Sequence, residues 1–258
     1  MKTKNKIQPF FSIITVVKNN KKMMKNLFFC LKKLKYKNFE HIVVDGMSND
    51  GTTEIIKKNK KRIKVSIIEK DKGIYHAMNK GIRVSKGKYI GILNSDDEYT
   101  PDALNIIYKY INDNNFPDFI FGSVIKDRLI MSGYHPKKIF YKFNVFPSHS
   151  GSFFIKNTVQ KKIGYYDANF KYSADYDLIY RLINKNFLGI CTSHNEITGK
   201  FYTKGISSKL SFLKKTQEEF KVRLKNKQNV LFLIFLFFLI FLNKLRNLLF
   251  NRKKKKSF

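Results

Sequence analysis

Acidic residues are scarce in this chain: 19 Asp and Glu stand against 51 Lys and Arg, giving a formal net charge of +32. Such a balance points to anionic partners, namely nucleic acid, a membrane surface or phosphorylated substrates. Part of the excess reflects a general enrichment in Lys, Asn, Ile and Phe along the whole sequence. Cysteine is nearly absent. Cys30 and Cys191 stand alone without CxxC spacing, which excludes a disulfide framework and predicts reduced, buried thiols in a cytosolic compartment. His135 and His194 show no metal-ligand spacing, so a zinc site is not expected. The basic start "MKTKNKIQPFFSIITVVKNN" has only a short apolar stretch and no small-residue cleavage site, so no secretory signal is expected. No internal repeat is visible.

What is present is a regular alternation. The runs "FFSIITVV" (10 to 17), "HIVVD" (41 to 45), "KVSIIE" (64 to 69) and "KYIGIL" (88 to 93) are β-rich, and helix-like segments separate them. Strands apolar on consecutive positions and separated by helices predict an α/β fold with a parallel sheet covered on both faces. Ligands of such sheets collect beyond the carboxyl ends of the strands, where Asp45 and the pair Asp96 and Asp97 are expected. Farther on, a strand is predicted over "DFIFGSV" (118 to 124) and an amphipathic helix after "YSAD".

The C-terminal region changes character. A charged helix is predicted over 209 to 228. Thirteen apolar residues then run from Val230 to Leu242, and "NRKKKKSF" closes the chain. Thirteen helical residues cover about 20 Å, short of a ~30 Å hydrocarbon core. An interfacial or re-entrant anchor therefore fits better than a span, with residues 230–256 set against an anionic membrane surface.

Adjacent carboxylates at a strand end raise each other's ionisation cost. The stretch "GILNSDDEYT" makes sense if Asp96 and Asp97 share a hard cation, Mg²⁺ or Mn²⁺, with the oxygens of a bound diphosphate. The plainer alternative is a solvated loop or a cap for the helix beginning near Pro101.

"HIVVDGMSNDGTTEII", "DKGIYHAMNKGI" and "GKYIGILNSDD", followed in order by "HSGSFFIKN", "SADYDLIYRL" and "KGISS", resemble the family 2 glycosyltransferases, particularly those that assemble bacterial surface polysaccharides. The resemblance implies a GT-A fold and inverting transfer of a sugar from a nucleotide-diphosphate donor, usually a UDP-sugar, to a lipid-linked or growing glycan acceptor. It implies a catalytic domain over 8–208, divided into a nucleotide-binding half (8–105) and an acceptor-side half (106–208). Residues 209–258 form an appendage that would hold the enzyme at the cytoplasmic face of the plasma membrane. It places Asp45, Thr15 and Asn79 in the nucleotide pocket and Asp96 on the ribose or the metal's water shell. Asp97 falls on the metal, His149 near the acceptor, and Asp175 at the position of the base that deprotonates the acceptor hydroxyl. Asp177, two residues on, is open to a capping role. Three departures stand out: Gly46 where many relatives carry a second acid, His76 in place of Asp, and Ala174 in place of Glu.

Two rival functions remain at this stage. A sugar nucleotidyltransferase wants a Gly-rich basic loop after the first strand, and "VVKNNKKM" has no glycine. A basic, non-catalytic nucleic-acid-binding protein accounts for the charge but gives no reason for the placement of the acids, so no nucleic-acid partner is expected.

Overall fold

The computed structural model describes residues 8–142, 150–201, 211–239 and 242. The predicted alternation appears as β1 (Phe11–Val17), α1 (Lys21–Lys33), β2 (Phe39–Asp45), α2 (Thr52–Lys58), β3 (Val65–Ile68), α3 (Ile74–Val84) and β4 (Tyr89–Ile92). After these come β5 (Glu98–Tyr99), α4 (Ala103–Asp113), β6 (Phe119–Phe121), β7 (Ser123–Lys126), β8 (Leu129–Met131) and α5 (Lys138–Tyr141). The remainder comprises β9 (Phe153–Lys156), α6 (Asn157–Ile163), α7 (Ala174–Asn184), β10 (Gly189–Cys191), β11 (Ile197–Phe201), α8 (Phe212–Lys225) and a helix α9 over 230–239.

Seven strands form the central sheet in the order β10-β6-β9-β4-β1-β2-β3. β1 pairs in parallel with β2 and β4, and β2 with β3, whereas β9 runs antiparallel to β4 and β6. The architecture is α/β with a mixed sheet of the GT-A kind. Strands such as β1 are buried at every position, because helices cover both faces. On one face Ile14, Val16, Ile42 and Val44 pack with Tyr75 and Met78 of α3 and Leu178 and Leu182 of α7. On the other, Phe11, Ile13 and Phe154 pack with Leu27 and Leu31 of α1 and Leu104 and Ile107 of α4.

The predicted strand over 118 to 124 is in fact two. Gly122 separates β6, in the large sheet, from β7, in a smaller sheet ordered β5-β11-β7-β8. A Cβ at residue 122 would lie 2.1 Å from Thr198 Oγ1 and 2.2 Å from Ser152 Oγ, so only glycine lets the chain pass there.

α8, which composition groups with the C-terminal appendage, docks on α7. Lys225 reaches Asp177 at 3.2 Å and Asp167 at 2.8 Å. Arg223, with no exposed surface, donates to Tyr176 Oη and to the carbonyls of Phe140 and Lys142. Beyond it, Leu233 and Leu236 of α9 are buried against Phe220, while Leu231, Ile234, Phe235 and Phe238 are exposed. Among the described residues no helix is long and apolar enough to cross a membrane.

Candidate active site

Parallel β1, β2, β3 and β4 end on one edge, and the loops that leave them are stitched together there. Gly46 N–H donates to Val17 O (2.9 Å), Asn20 Nδ2 to Ser95 Oγ (3.0 Å) and Asn49 N–H to Asn19 Oδ1 (2.9 Å). Asp50 accepts the N–H of Lys21 (3.0 Å) and of Thr52 (3.0 Å), so one carboxylate holds the first residues of α1 and α2. These bonds pull the Asp50 carboxyl below its ordinary range, the Thr52 hydroxyl contributing most.

Asp97 lies on this edge in the turn after β4, where its N–H meets Asn94 O at 3.1 Å. It is 3% exposed. Asn94 Nδ2 donates to Oδ2 at 3.2 Å, while Oδ1 is buried without a hydrogen-bond partner. Burial, with the charge of half-buried Asp96 added, pushes the Asp97 carboxyl up to about 7. An orphaned buried carboxylate oxygen beside a second acid is a donor set that suits a hard divalent cation. Among the described residues no group of three or more His, Cys, Asp or Glu forms a metal cage. Ions of the Mg²⁺ class are commonly held by one or two carboxylates plus substrate phosphates.

Asp175 sits in the first turn of α7. Its Oδ1 accepts the N–H of Tyr176 (2.8 Å) and the hydroxyl of Tyr75 (3.2 Å). Tyr75 opens α3, which leaves the same edge as β3, so this contact brings Asp175 to the strand-end crevice. Both of these bonds fall on Oδ1. Desolvation raises the carboxyl to about 6, against the lowering effect of those two donors. Glu218 of α8 accepts the N–H groups of Lys171 and Tyr172 and so fixes the loop ahead of Asp175. Asp177 is fully buried and bonded to Arg181, Lys225 and Asn226, joining α7 to α8.

The expected nucleotide ligands are committed inside the fold. Asp45 has no exposed surface; its oxygens accept from Ser48 N–H and Oγ (3.1 and 2.6 Å) and from Thr53 Oγ1 (2.6 Å), which shapes the loop after β2. Thr15 is likewise buried, its hydroxyl paired with His41 Nε2 at 3.0 Å. Burial drives the His41 pKa down to about 3, so the imidazole is neutral. The amide of Asn79 donates to Tyr166 O (2.8 Å) and accepts from its N–H (3.0 Å), pinning α3 to the segment before α7. Thr15 and Asn79 therefore support the crevice rather than present polar atoms to it. His149 and "KGISS" lie outside the described residues.

Asp71, which the sequence pattern did not single out, lies at the same strand-end edge beside Gly46. A Cβ at Gly46 would stand 2.8 Å from Asp71 Oδ2. An acid from the loop after β3 therefore stands beside Gly46, and Lys80 holds Asp71 at 2.8 Å and Glu69 at 2.9 Å. His76 Nδ1 lies 3.7 Å from Asp71 and accepts Lys72 N–H at 3.4 Å. The signal was present in "EKDKGIYH", but nothing local shows that it folds back onto Gly46.

Residues 12–177 match the model of glycosyl transferase family 2. An uncharacterized glycosyltransferase of Methanocaldococcus jannaschii is 29% identical over 196 residues, 70% of this chain and 67% of that protein. A PGL/p-HBAD biosynthesis glycosyltransferase of Mycobacterium bovis is 25% identical over 74% of this chain and 78% of its own length. Among solved structures, S. aureus TarS (residues 1–349) in complex with UDP-GlcNAc superposes with a TM-score of 0.67 at 16% identity, over 82% of this chain and 64% of that one. Mannosyltransferase PcManGT of Pyrobaculum calidifontis, in complex with GDP-Man and Mn²⁺, gives 0.64 at 16% identity, over 87% and 66%.

Proposed function

The chain belongs to glycosyl transferase family 2, and from that premise we propose that it moves a sugar, with inversion, from a nucleotide-diphosphate donor to a hydroxyl of a lipid-linked or growing glycan. The donor is a UDP-sugar and the product a bacterial surface polysaccharide such as capsule, O-antigen or lipopolysaccharide. The observation that carries this reading is the buried, unpartnered Oδ1 of Asp97 beside Asp96. The nucleotide sugars held by TarS and PcManGT support a donor of the same class. The mycobacterial relative's place in PGL/p-HBAD biosynthesis supports a glycan product.

In this mechanism Asp175 Oδ2 accepts the proton of the acceptor hydroxyl. The acceptor oxygen bonds to the anomeric carbon as the bond from that carbon to the phosphate oxygen breaks, and the nucleoside diphosphate leaves with the electron pair. A carboxyl raised to about 6 is ionised at neutral pH yet basic enough to assist, and Tyr75 and the Tyr176 N–H aim it. Asp96 and Asp97 would hold Mg²⁺ or Mn²⁺. When bound, the ion supplies Lewis-acid neutralisation of the departing diphosphate. Asp71 and the loops stitched around Asn19, Asn20 and Ser48 shape the end of the crevice at β2 and β3, where the nucleotide lies.

The exposed apolar residues of α9, followed in sequence by "NRKKKKSF", support peripheral attachment to the cytoplasmic face of the plasma membrane, where a lipid-linked acceptor is concentrated.

The reaction is tested by screening nucleotide sugars with Mn²⁺ for release of the nucleoside diphosphate. Asp97→Asn and Asp175→Asn are each expected to reduce the rate by at least about 100-fold. Turnover that persists unchanged in both variants would refute the assignment.

A further inference from the structure

The edge of the sheet opposite the crevice carries a large recess. A cavity of about 1460 Å³ opens between the start of β1, the segments leading into β2, β3 and β4, and the N-terminus of α6. Nine of its lining side chains are Lys or Arg, among them Lys61, Arg62, Lys86 and Lys161, and one is a carboxylate, Glu40. No ion pair neutralises these nine cations among the described residues. Desolvation lowers the Lys88 pKa, and the charge of Lys156 adds to the effect. The walls are fixed: Asn157 Nδ2 bonds the carbonyls of Ser85 and Gly87 at 3.2 and 2.9 Å.

Glu40 supplies an independent sign of a ligand. It is 6% exposed, and its Oε1 accepts Ser12 Oγ and Lys86 N–H, both at 2.6 Å. Its Oε2 is buried without a partner. A lone acceptor within a ring of cations calls for a hydroxyl donor, while the ring calls for anions. Nucleic-acid grooves of comparable charge offer aromatic rings for base stacking, whereas here Phe28 is buried and Phe39 only half-exposed. A lipid headgroup layer presents its charges in a plane, which suits a flat patch better than a recess.

We propose that this cavity is a second binding site, separate from the crevice, for an anionic glycan chain carrying both acidic groups and free hydroxyls. Cations meet the acids and Glu40 Oε2 accepts a hydroxyl. The site stands on the opposite edge of the sheet from Asp97 and Asp175, so occupying it leaves the nucleotide site open.

The test uses the full chain in detergent at physiological salt and follows the anisotropy of a labelled oligogalacturonate. Oligothymidylate, a neutral malto-oligosaccharide and phosphatidylglycerol vesicles serve as competitors. The triple variant Lys61→Gln, Arg62→Gln, Lys86→Gln changes exposed side chains that make no hydrogen bond of their own, so it keeps the fold. Oligogalacturonate should bind the parent chain in preference to all three competitors, and the variant should bind it at least about tenfold more weakly. UDP binding at the crevice should be the same in both proteins, which separates this site's failure from that of the transfer reaction. No oligogalacturonate binding, equal affinity in parent and variant, or preferential displacement by oligothymidylate or vesicles would overturn the proposal.

Discussion

Asp175 and Tyr75 come from segments a hundred residues apart, and their contact at 3.2 Å sets how the candidate base titrates. Desolvation raises the carboxyl to about 6, and the Tyr75 hydroxyl and Tyr176 N–H, by stabilising the charged form, hold it from rising further. The base acts when ionised, so kcat/KM should climb with pH through about 6 and level off above it. Tyr75→Phe removes a donor to the charged form. The acid limb of the profile should therefore move to higher pH by about 0.5–1 unit; a limb that stays or moves to lower pH would contradict this role. Asp175 was singled out through the resemblance of "SADYDLIYRL" to the family's motif, since Asp177, two residues on, offers the same carboxylate in the same local pattern. Tyr75 was not, since a tyrosine in the first turn of a helix reads as core. The commitment of Thr15 to His41 and of Asn79 to Tyr166 was equally hidden, because each depends on a partner at least 26 residues away.

Elements were easier to read than contacts. The inner strands β1, β2 and β4 declare themselves as consecutive apolar runs, since a parallel sheet covered on both faces leaves no polar stripe to confuse the period. After residue 113 every strand is only three to five residues long. There the path is set by steric accidents such as Gly122 between Thr198 and Ser152 rather than by hydrophobic period. α8 read as an appendage because its surface is charged, yet Glu218, Arg223 and Lys225 use that charge to clamp the segments around Asp175 and Asp177. α9 is different: its apolar side chains lie mostly outside the core. Truncation after Gln228 keeps the bonds of Gln228 to Phe140 and Tyr180. It should transfer the protein from the membrane to the soluble fraction with its thermal unfolding still cooperative. Sedimentation with membranes as before would contradict the anchoring role.

At the scale of the whole molecule, the two edges of the sheet differ in charge. Along the strand-end edge Asp71, Asp96, Asp97 and Asp175 are interspersed with Lys18, Lys21 and Lys80, while the opposite recess sets nine Lys and Arg around the single carboxylate of Glu40. Asp97 and Asp175 titrate above the ordinary carboxylate range, so the folded chain binds their protons more tightly than the unfolded chain. Their contribution to stability therefore falls as pH rises from about 4 through about 7. On the proposed function, a cation bound at Asp97 would offset that loss and tie stability to donor binding. Titration calorimetry of UDP into the full chain, with and without Mn²⁺, tests this account most directly. It predicts binding that requires Mn²⁺ and weakens at least about tenfold in Asp97→Asn; UDP binding indifferent to both the ion and the substitution would contradict it.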